Sequence, residues 1–291
     1  MKHLLLLVVL TLAGPVVGQG GGLIDHAEQA YALGKYQEAL AWADSAIGSD
    51  PASAEAYKLR GDIHQRLTQL DQAMQDYKES EVLDPNNARL YVSRSAARIS
   101  EGNVKGALRD LEKAIELDPS DADAWYNRAC AHYLARDNSN ALKDADKALK
   151  LRPDHAYALF LTGVVEGELY REEAGLGNIL QALELDPSIP GGNMSAAVLL
   201  YETKRYTEAI ARFTEVIEQG GNAEDVRDAY FYRGDCHYEL DDKEKACQNW
   251  RQSADLGDKD SEFIVRNYCE TDERKIPKKP VRKRRRSVIS F

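Results

Sequence analysis

The chain has 291 residues, of which 43% are apolar and 30% charged; that is too much apolar material for a chain unable to build a core, and the length alone allows two ordinary domains. The net charge is −10 at pH 7, yet Arg274, Lys275, Lys278, Lys279, Arg282, Lys283, Arg284, Arg285 and Arg286 follow Glu273 with no further acid. An acidic body therefore bears a basic end.

Met1-Lys2-His3, the apolar run Leu4 to Ala13 and the break at Gly14-Pro15 have the form of a secretory signal. The run is too short to cross a bilayer. Val16 and Gly18 suit the last positions before a cleavage site, making Gln19 the first mature residue, and no cysteine near the cut supports a lipoprotein. The reading is a signal peptide over 1–18 and an exported chain, periplasmic or secreted. Gly20-Gly21-Gly22 then reads as a linker over 19–22; no Gly-Lys-Ser/Thr follows to make it a phosphate loop.

From Leu23 the pattern settles into paired helices. Pro51, Pro85, Pro119, Pro153 and Pro187 are each 34 residues from the next, and the stretch before each, such as Leu111 to Asp118, reads as a helix that has run out. In such an array each unit leaves an apolar face open until its neighbour covers it. Ala39, Ala73, Ala107, Ala141 and Ala209 recur early in each second helix, where a small residue lets two helices approach. Gly34 and Gly102 fall at the turn within a unit, where positive φ is often needed.

These residues resemble the tetratricopeptide repeat, a helix-turn-helix of this length. The resemblance covers 23–257, about seven units, and implies an all-α, right-handed superhelical solenoid. Two departures stand out. The fifth unit has Tyr170 at its turn and Gly175 in place of the early alanine, which predicts a loosened or displaced second helix. The sixth ends in Gly220-Gly221 rather than proline, and Asn222 to Arg227 reads as a lengthened connection. Residues 258–269 read as a capping helix and 270–291 as a basic, disordered end. The closing pattern Ala246-Cys247, Trp250, Leu256-Gly257 and Tyr268-Cys269 is similar to the ends of exported Bacteroidota proteins of this family.

In that family the first helices line a concave groove that holds extended peptides. The corresponding positions in the later units hold Tyr126, Tyr133, Tyr157, Phe160, Met194, Tyr201, Phe231 and Tyr238. They form either an aromatic track for a peptide or protein partner or packing between adjacent first helices. The earlier units offer Lys58, Asp62, Arg66 and Arg89, a charged groove or simply a solvated face. Lys58 matches one place of the family's carboxylate clamp, but Asp62 and Ser93 stand where other residues are required, which argues against that clamp.

Cys247 should face the capping helix and Cys269 lies at its end, so these two are the candidate disulfide; Cys130 and Cys236 read as buried thiols. His64, His132 and His237 recur at one place in three units and read as packed side chains. No nucleophile-base pair, phosphate loop or metal-ligand spacing is present, so the chain reads as a non-enzymatic scaffold without cofactor or metal. The basic residues Lys278, Lys279, Arg282, Lys283, Arg284, Arg285 and Arg286 suit anionic lipid head groups or the acidic body, with nucleic acid the weakest of these for an exported chain. The alternative reading is an envelope assembly factor that acts through this basic end.

Overall fold

The computed structural model describes residues 19–220, 222–273 and 275–276. The signal segment 1–18 and the basic residues Lys278 to Arg286 lie outside the described residues. Among the described residues the chain is all-helical, with no strand. The first repeats comprise α1 (Gln19–Ala32), α2 (Tyr36–Ser49), α3 (Ala54–Arg66), α4 (Leu70–Leu83), α5 (Ala88–Ser100) and α6 (Val104–Leu117). Then follow α7 (Ala122–Leu134), α8 (Asn138–Leu151), α9 (Ala156–Glu168), α10 (Glu172–Leu185), α11 (Gly192–Glu202) and α12 (Tyr206–Gln219). The chain closes with α13 (Ala223–Glu239), α14 (Lys243–Asp255), the short α15 (Lys259–Ile264) and a π turn, Val265–Cys269.

Each second helix is stopped in a similar way. Asp50, Asp84, Asp118 and Asp186 precede proline, and each Oδ1 accepts the backbone N–H two residues on, from Ala52, Asn86, Ser120 and Ser188, at 2.9–3.0 Å. The carboxylate closes a turn that proline has already committed to leave the helix. Ser53, Asn87 and Asp121 then cap the next helix, accepting the N–H of Ala56, Leu90 and Asp123 at 3.2, 3.3 and 2.9 Å.

The turn inside a repeat uses one left-handed residue. Gly34 and Gly102 fill it at φ 71° and 75°, as expected, but Thr68, Arg136, Tyr170, Lys204 and Asp241 hold the same place at φ 58–63°. The N–H groups of Gln69, Asp137, Arg171, Arg205 and Asp242 close these ends by donating to the carbonyls of His64, His132, Glu166, Leu200 and His237 at 2.8–3.0 Å. This is the Schellman arrangement, which satisfies helix-end carbonyls whichever residue takes the strained position.

Small residues set the spacing between paired helices. Ala39, Ala73, Ala141, Ala209 and Ala246 are fully buried. A Cβ on Gly61 would lie 2.7 Å from the Tyr77 ring, and one on Gly234 2.8 Å from Trp250. In the fifth repeat a Cβ on Gly163 would lie 2.5 Å from the Gly175 carbonyl oxygen, and one on Gly175 2.6 Å from that of Gly163. Glycine in place of alanine therefore draws α10 onto α9, and the expected loosening is corrected to the opposite. Two further expectations change. Gly20 to Gly22 lie in the first turns of α1, which propagates back from the amphipathic run after them, so they are no linker. Asn222 caps α13 by accepting the Asp225 N–H at 2.8 Å, and residues 223–227 lengthen that helix to 17 residues rather than lengthening a connection.

The chain divides into two compact units, one up to Glu101 and one from Gly102. In the first, Ala27, Ala30, Ala39, Ala43, Leu59 and Ile63 make one apolar cluster, and Ala73, Tyr77, Leu90 and Ala97 another. The second holds one continuous core running from Tyr126 to Ile276. There α7 touches α9, α9 touches α11 and α11 touches α13, whereas successive second helices make no comparable contact. The first helices of this unit form its tighter, inner layer. At its end α15 and the π turn pack on α14, and a disulfide joins Cys247 to Cys269. Closing 22 residues of chain in this way contributes about 3 kcal/mol in the loop-entropy picture.

Candidate functional site

The inner layer of the second unit carries the aromatic positions, and the structure divides them. Tyr126, Tyr133, Phe160 and Phe231 are buried, at 7, 1, 2 and 1% exposure. The Tyr133 hydroxyl donates to Glu168 Oε1 at 2.7 Å, so a first helix is pinned to the first helix of the next repeat. For these four the packing alternative holds and the open-anchor one is corrected: first helices set this close leave no room for a partner to reach the rings. Tyr157, Met194, Tyr201 and Tyr238 are half-buried and keep an edge toward solvent. The Tyr201 hydroxyl donates to Asp235 Oδ2 at 3.1 Å. Burial first, then the charge of Asp235 and of Glu239, push its ionisation up.

The charged positions of the first unit are largely turned on one another. Lys58 Nζ lies 2.8 Å from Asp62 Oδ2, and the Arg66 Nε donates to the Tyr31 hydroxyl at 3.1 Å. Asp62 also accepts from the Tyr77 hydroxyl at 2.9 Å. Pairing within and between helices uses these groups to hold the stack, and Arg89 is exposed. A polar seam recurs between paired helices: Arg60 Nε donates to Asp76 Oδ2 at 2.9 Å, Arg128 Nε to Asp144 Oδ2 at 2.6 Å, and Arg233 Nε to Asn249 Oδ1 at 2.7 Å. Asp76 and Asp144 are buried, so each needs its guanidinium.

His64 and His132 lie along this seam, 3.7 and 3.6 Å from the carboxylates of Asp76 and Asp144. Desolvation holds the ionisation of His237, at the third such place, below its ordinary value. Cys130 and Cys236 are buried thiols, and burial pushes Cys130 up to about 12. At the α8–α9 turn, the Asp123 carboxylate meets Arg152 and lies 3.3 Å from the buried His155 Nε2. With His155 first and Arg152 next favouring the anion over the opposing effect of burial, Asp123 is held down at about 2. Among the described residues no cluster of His, Cys, Asp and Glu is arranged to hold a metal, and no helix is long and apolar enough to cross a membrane.

The residues that chain reading overlooked are Glu168, Glu202 and Glu239. Each is the last residue of a first helix, in α9, α11 and α13, two positions before the left-handed turn residue. The carbonyl end of a helix carries partial negative charge, and a carboxylate there adds to it. Three such ends on adjacent repeats make an acidic strip, with the half-buried Tyr201 and Tyr238 next to two of its members and Tyr157 and Met194 at the opposite ends of α9 and α11. Counting from the turn residue rather than from proline would have aligned them, because α13 is out of register with the proline count. A recess of about 560 Å³ lies apart from the strip, lined by Pro187 to Met194, Val216, Gln219, Asn222 and Asp225; Asp225 is its one charged residue. It holds no set of groups that could do acid-base chemistry.

Paired helices of fixed period, small-residue seams and an inner layer of first helices define a helical-repeat array, the class of fold that suits protein-protein interaction. The chain belongs to the tetratricopeptide-repeat family: models described as TPR repeat or tetratricopeptide repeat match residues 96–135, 122–155, 24–88 and 194–254, together more than half of the chain. It is similar in fold to the Pseudomonas aeruginosa protein pilF, with a TM-score of 0.61, 20% identity and coverage of 77% of this chain and 95% of that one. A tetratricopeptide repeat protein from Parabacteroides merdae aligns with a TM-score of 0.58 at 18% identity, over 83% of this chain and 95% of that one. A thermophilic TPR protein of Thermus thermophilus gives 0.55 at 21% identity, over 62% and 99%. Among curated proteins, none matches this sequence.

Proposed function

We propose that this protein is a non-enzymatic interaction scaffold that binds an extended peptide segment of a partner along the inner layer of its second unit, and that the partner segment is basic and amphipathic. The observation that carries this reading is the acidic strip of Glu168, Glu202 and Glu239 at the ends of α9, α11 and α13, with the half-buried edges of Tyr201 and Tyr238 next to it. Lysine or arginine side chains would meet the strip, and apolar side chains would cover the ring edges, where tyrosine offers area and few rotamers to freeze. Charge would set the approach rate more than the affinity. The family supports scaffolding in general, and the chemistry of this face supports the class of partner. An oxidising, extracytoplasmic setting is supported by the form of residues 1–18 and by the Cys247–Cys269 bond.

The test is selection from a random peptide display library against the full chain, followed by anisotropy titration of the selected peptides. Enrichment in Lys or Arg next to apolar residues is expected, with affinity falling about tenfold for Glu202→Lys, roughly the 1.4 kcal/mol of one charge-assisted contact. Selection of acidic peptides, or unchanged affinity in Glu202→Lys, would sink the assignment.

A further inference from the structure

We propose that Arg233 holds a carboxylate from outside the chain, at a site walled by α12, α13 and α14. Four repeats carry a first-helix arginine eight places before the left-handed turn residue: Arg60, Arg94, Arg128 and Arg233, with turns at Thr68, Gly102, Arg136 and Asp241. Three of the four meet carboxylates of this chain. Arg60 donates from Nε and Nη2 to Asp76 and from Nη1 to Asp44, Arg94 from Nη1 and Nη2 to Glu81, and Arg128 from Nε and Nη2 to Asp144. At Arg233 both acid places are neutral. Asn249 stands eight residues after its turn, where Asp76 and Asp144 stand after theirs, and Thr214 stands ten after Lys204, as Asp44 stands ten after Gly34.

The guanidinium is therefore positioned but not neutralised. Its Nε donates to Asn249 Oδ1 at 2.7 Å and its Nη1 to Thr214 Oγ1 at 2.9 Å. A guanidinium has five N–H groups, so three have no acceptor among the described residues. The Tyr230 ring lies 5.3 Å from Cζ and covers one face. Asn249 is buried and its Nδ2 donates to the Lys245 carbonyl at 2.8 Å, which fixes the amide with its oxygen toward Arg233. The acid that acts on Arg233 across space, Glu218, is exposed and makes no ion pair with it; desolvation outweighs Tyr230 and Glu218 and draws the guanidinium's ionisation below its ordinary value. Arg233 is half-buried, so a ligand can reach it. A half-buried cation facing only neutral oxygens lacks the compensation its counterparts have, and the two oxygens of a carboxylate match the fork of remaining donors. Glu218 and the net charge of −10 disfavour a dianion such as phosphate. The ligand is thus a monoanion, either an acidic side chain of a partner or a small carboxylic acid. Second helices flank this site, which sets it apart from the acidic strip on the first helices.

The experiment is a titration of the ¹⁵N-labelled full chain with sodium acetate, exchanged for sodium chloride at constant ionic strength, following the arginine Nε–H resonances by NMR. The resonance missing from Arg233→Lys identifies Arg233. It should shift with acetate and saturate, with a Kd on the order of 10 mM for one charge-assisted contact. Asn249→Asp supplies the carboxylate that other repeats carry, so it should fold as the parent does and bind acetate about tenfold more weakly or worse. The titration is repeated with N-acetyl-aspartate N-methylamide. Binding at least as tight as acetate assigns the site to an acidic side chain of a partner, and weaker binding assigns it to a small carboxylic acid. An Arg233 resonance that acetate moves no more than chloride does would overturn the proposal, as would an Asn249→Asp protein that binds acetate like the parent, or inorganic phosphate binding more tightly than acetate. Acetate binding that appears only in Glu218→Gln would make Glu218 the counterion and overturn it equally.

Discussion

Exchanging glycine for alanine at two places around the α9–α10 pair should give opposite results. At Gly163 the new Cβ would sit 2.5 Å from the Gly175 carbonyl oxygen and 2.6 Å from Ile179 Cγ1. The first contact is with backbone, which no rotamer change relieves, so α9 and α10 must part. Overpacking of this kind costs about 1–3 kcal/mol, and a backbone obstacle argues for the upper end. Alanine's better helix propensity returns about 1 kcal/mol, leaving a net loss of roughly 1–2 kcal/mol. At Gly177, exposed on α10, nothing lies within 4 Å of the added atom, so Gly177→Ala should gain roughly 0.5–1 kcal/mol. With about 2–4 °C per kcal/mol for a unit of this size, the midpoint should rise by about 1–4 °C for Gly177→Ala and fall by about 2–8 °C for Gly163→Ala in a melt followed by far-ultraviolet dichroism. Hydrogen exchange would locate the loss of Gly163→Ala in α9 and α10. A Gly163→Ala protein as stable as the parent would refute the close approach and the packing argument built on it.

Thr68 is β-branched and holds φ 58°, so Thr68→Gly should relieve about 1 kcal/mol of strain, less a few tenths for glycine's freedom in the unfolded chain, and raise the urea midpoint; a lower midpoint would count against the turn geometry. Asp123 is held at about 2 in the fold against an ordinary 3.8, so its contribution is present above pH 3.8 and is lost as pH falls toward 2. Asp123→Asn should therefore be less stable than the parent near neutrality and equal to it at the bottom of that window, and acid titrations that run parallel would contradict the ion cluster. Cys130 stays a buried thiol, pushed up to about 12, so it and Cys236 should resist an aromatic disulfide reagent at about pH 8 in the native protein and react together on unfolding. Rapid native reaction of either would show that the core opens far more readily than its packing implies.

The period was legible because prolines are stop signals whose spacing survives changes in everything between them. The pairing of Cys247 with Cys269 followed from helix faces alone. The aromatic positions were harder. A tyrosine on a first helix reads identically whether it faces a groove or the next first helix, and only the closeness of α7, α9, α11 and α13 puts Tyr133 and Phe160 inside. Gly175 misled for a related reason: a missing side chain reads as a void in one dimension, but here the opposing residue, Gly163, is also bare and the helices close the gap. The turn residues Thr68, Arg136 and Tyr170 carry no compositional mark of positive φ, since the Schellman bonds come from the backbone. Glu168, Glu202 and Glu239 looked like ordinary helix-surface charge until the helix ends fixed their common place.

The disulfide at the last repeat also gives the array a direction. A stack of nearest-neighbour contacts normally frays from both ends, because a terminal repeat has only one neighbour to hold it. Here the Cys247–Cys269 bond keeps the cap on α14 even when its side-chain contacts loosen, so that edge cannot peel without the repeat beneath it also opening. In the first unit, α1 and α2 have no such tie among the described residues. Within the second unit, loss of structure under heat, pulling or proteolysis should therefore reach α13 and α14 last, and reduction of one bond would abolish that order.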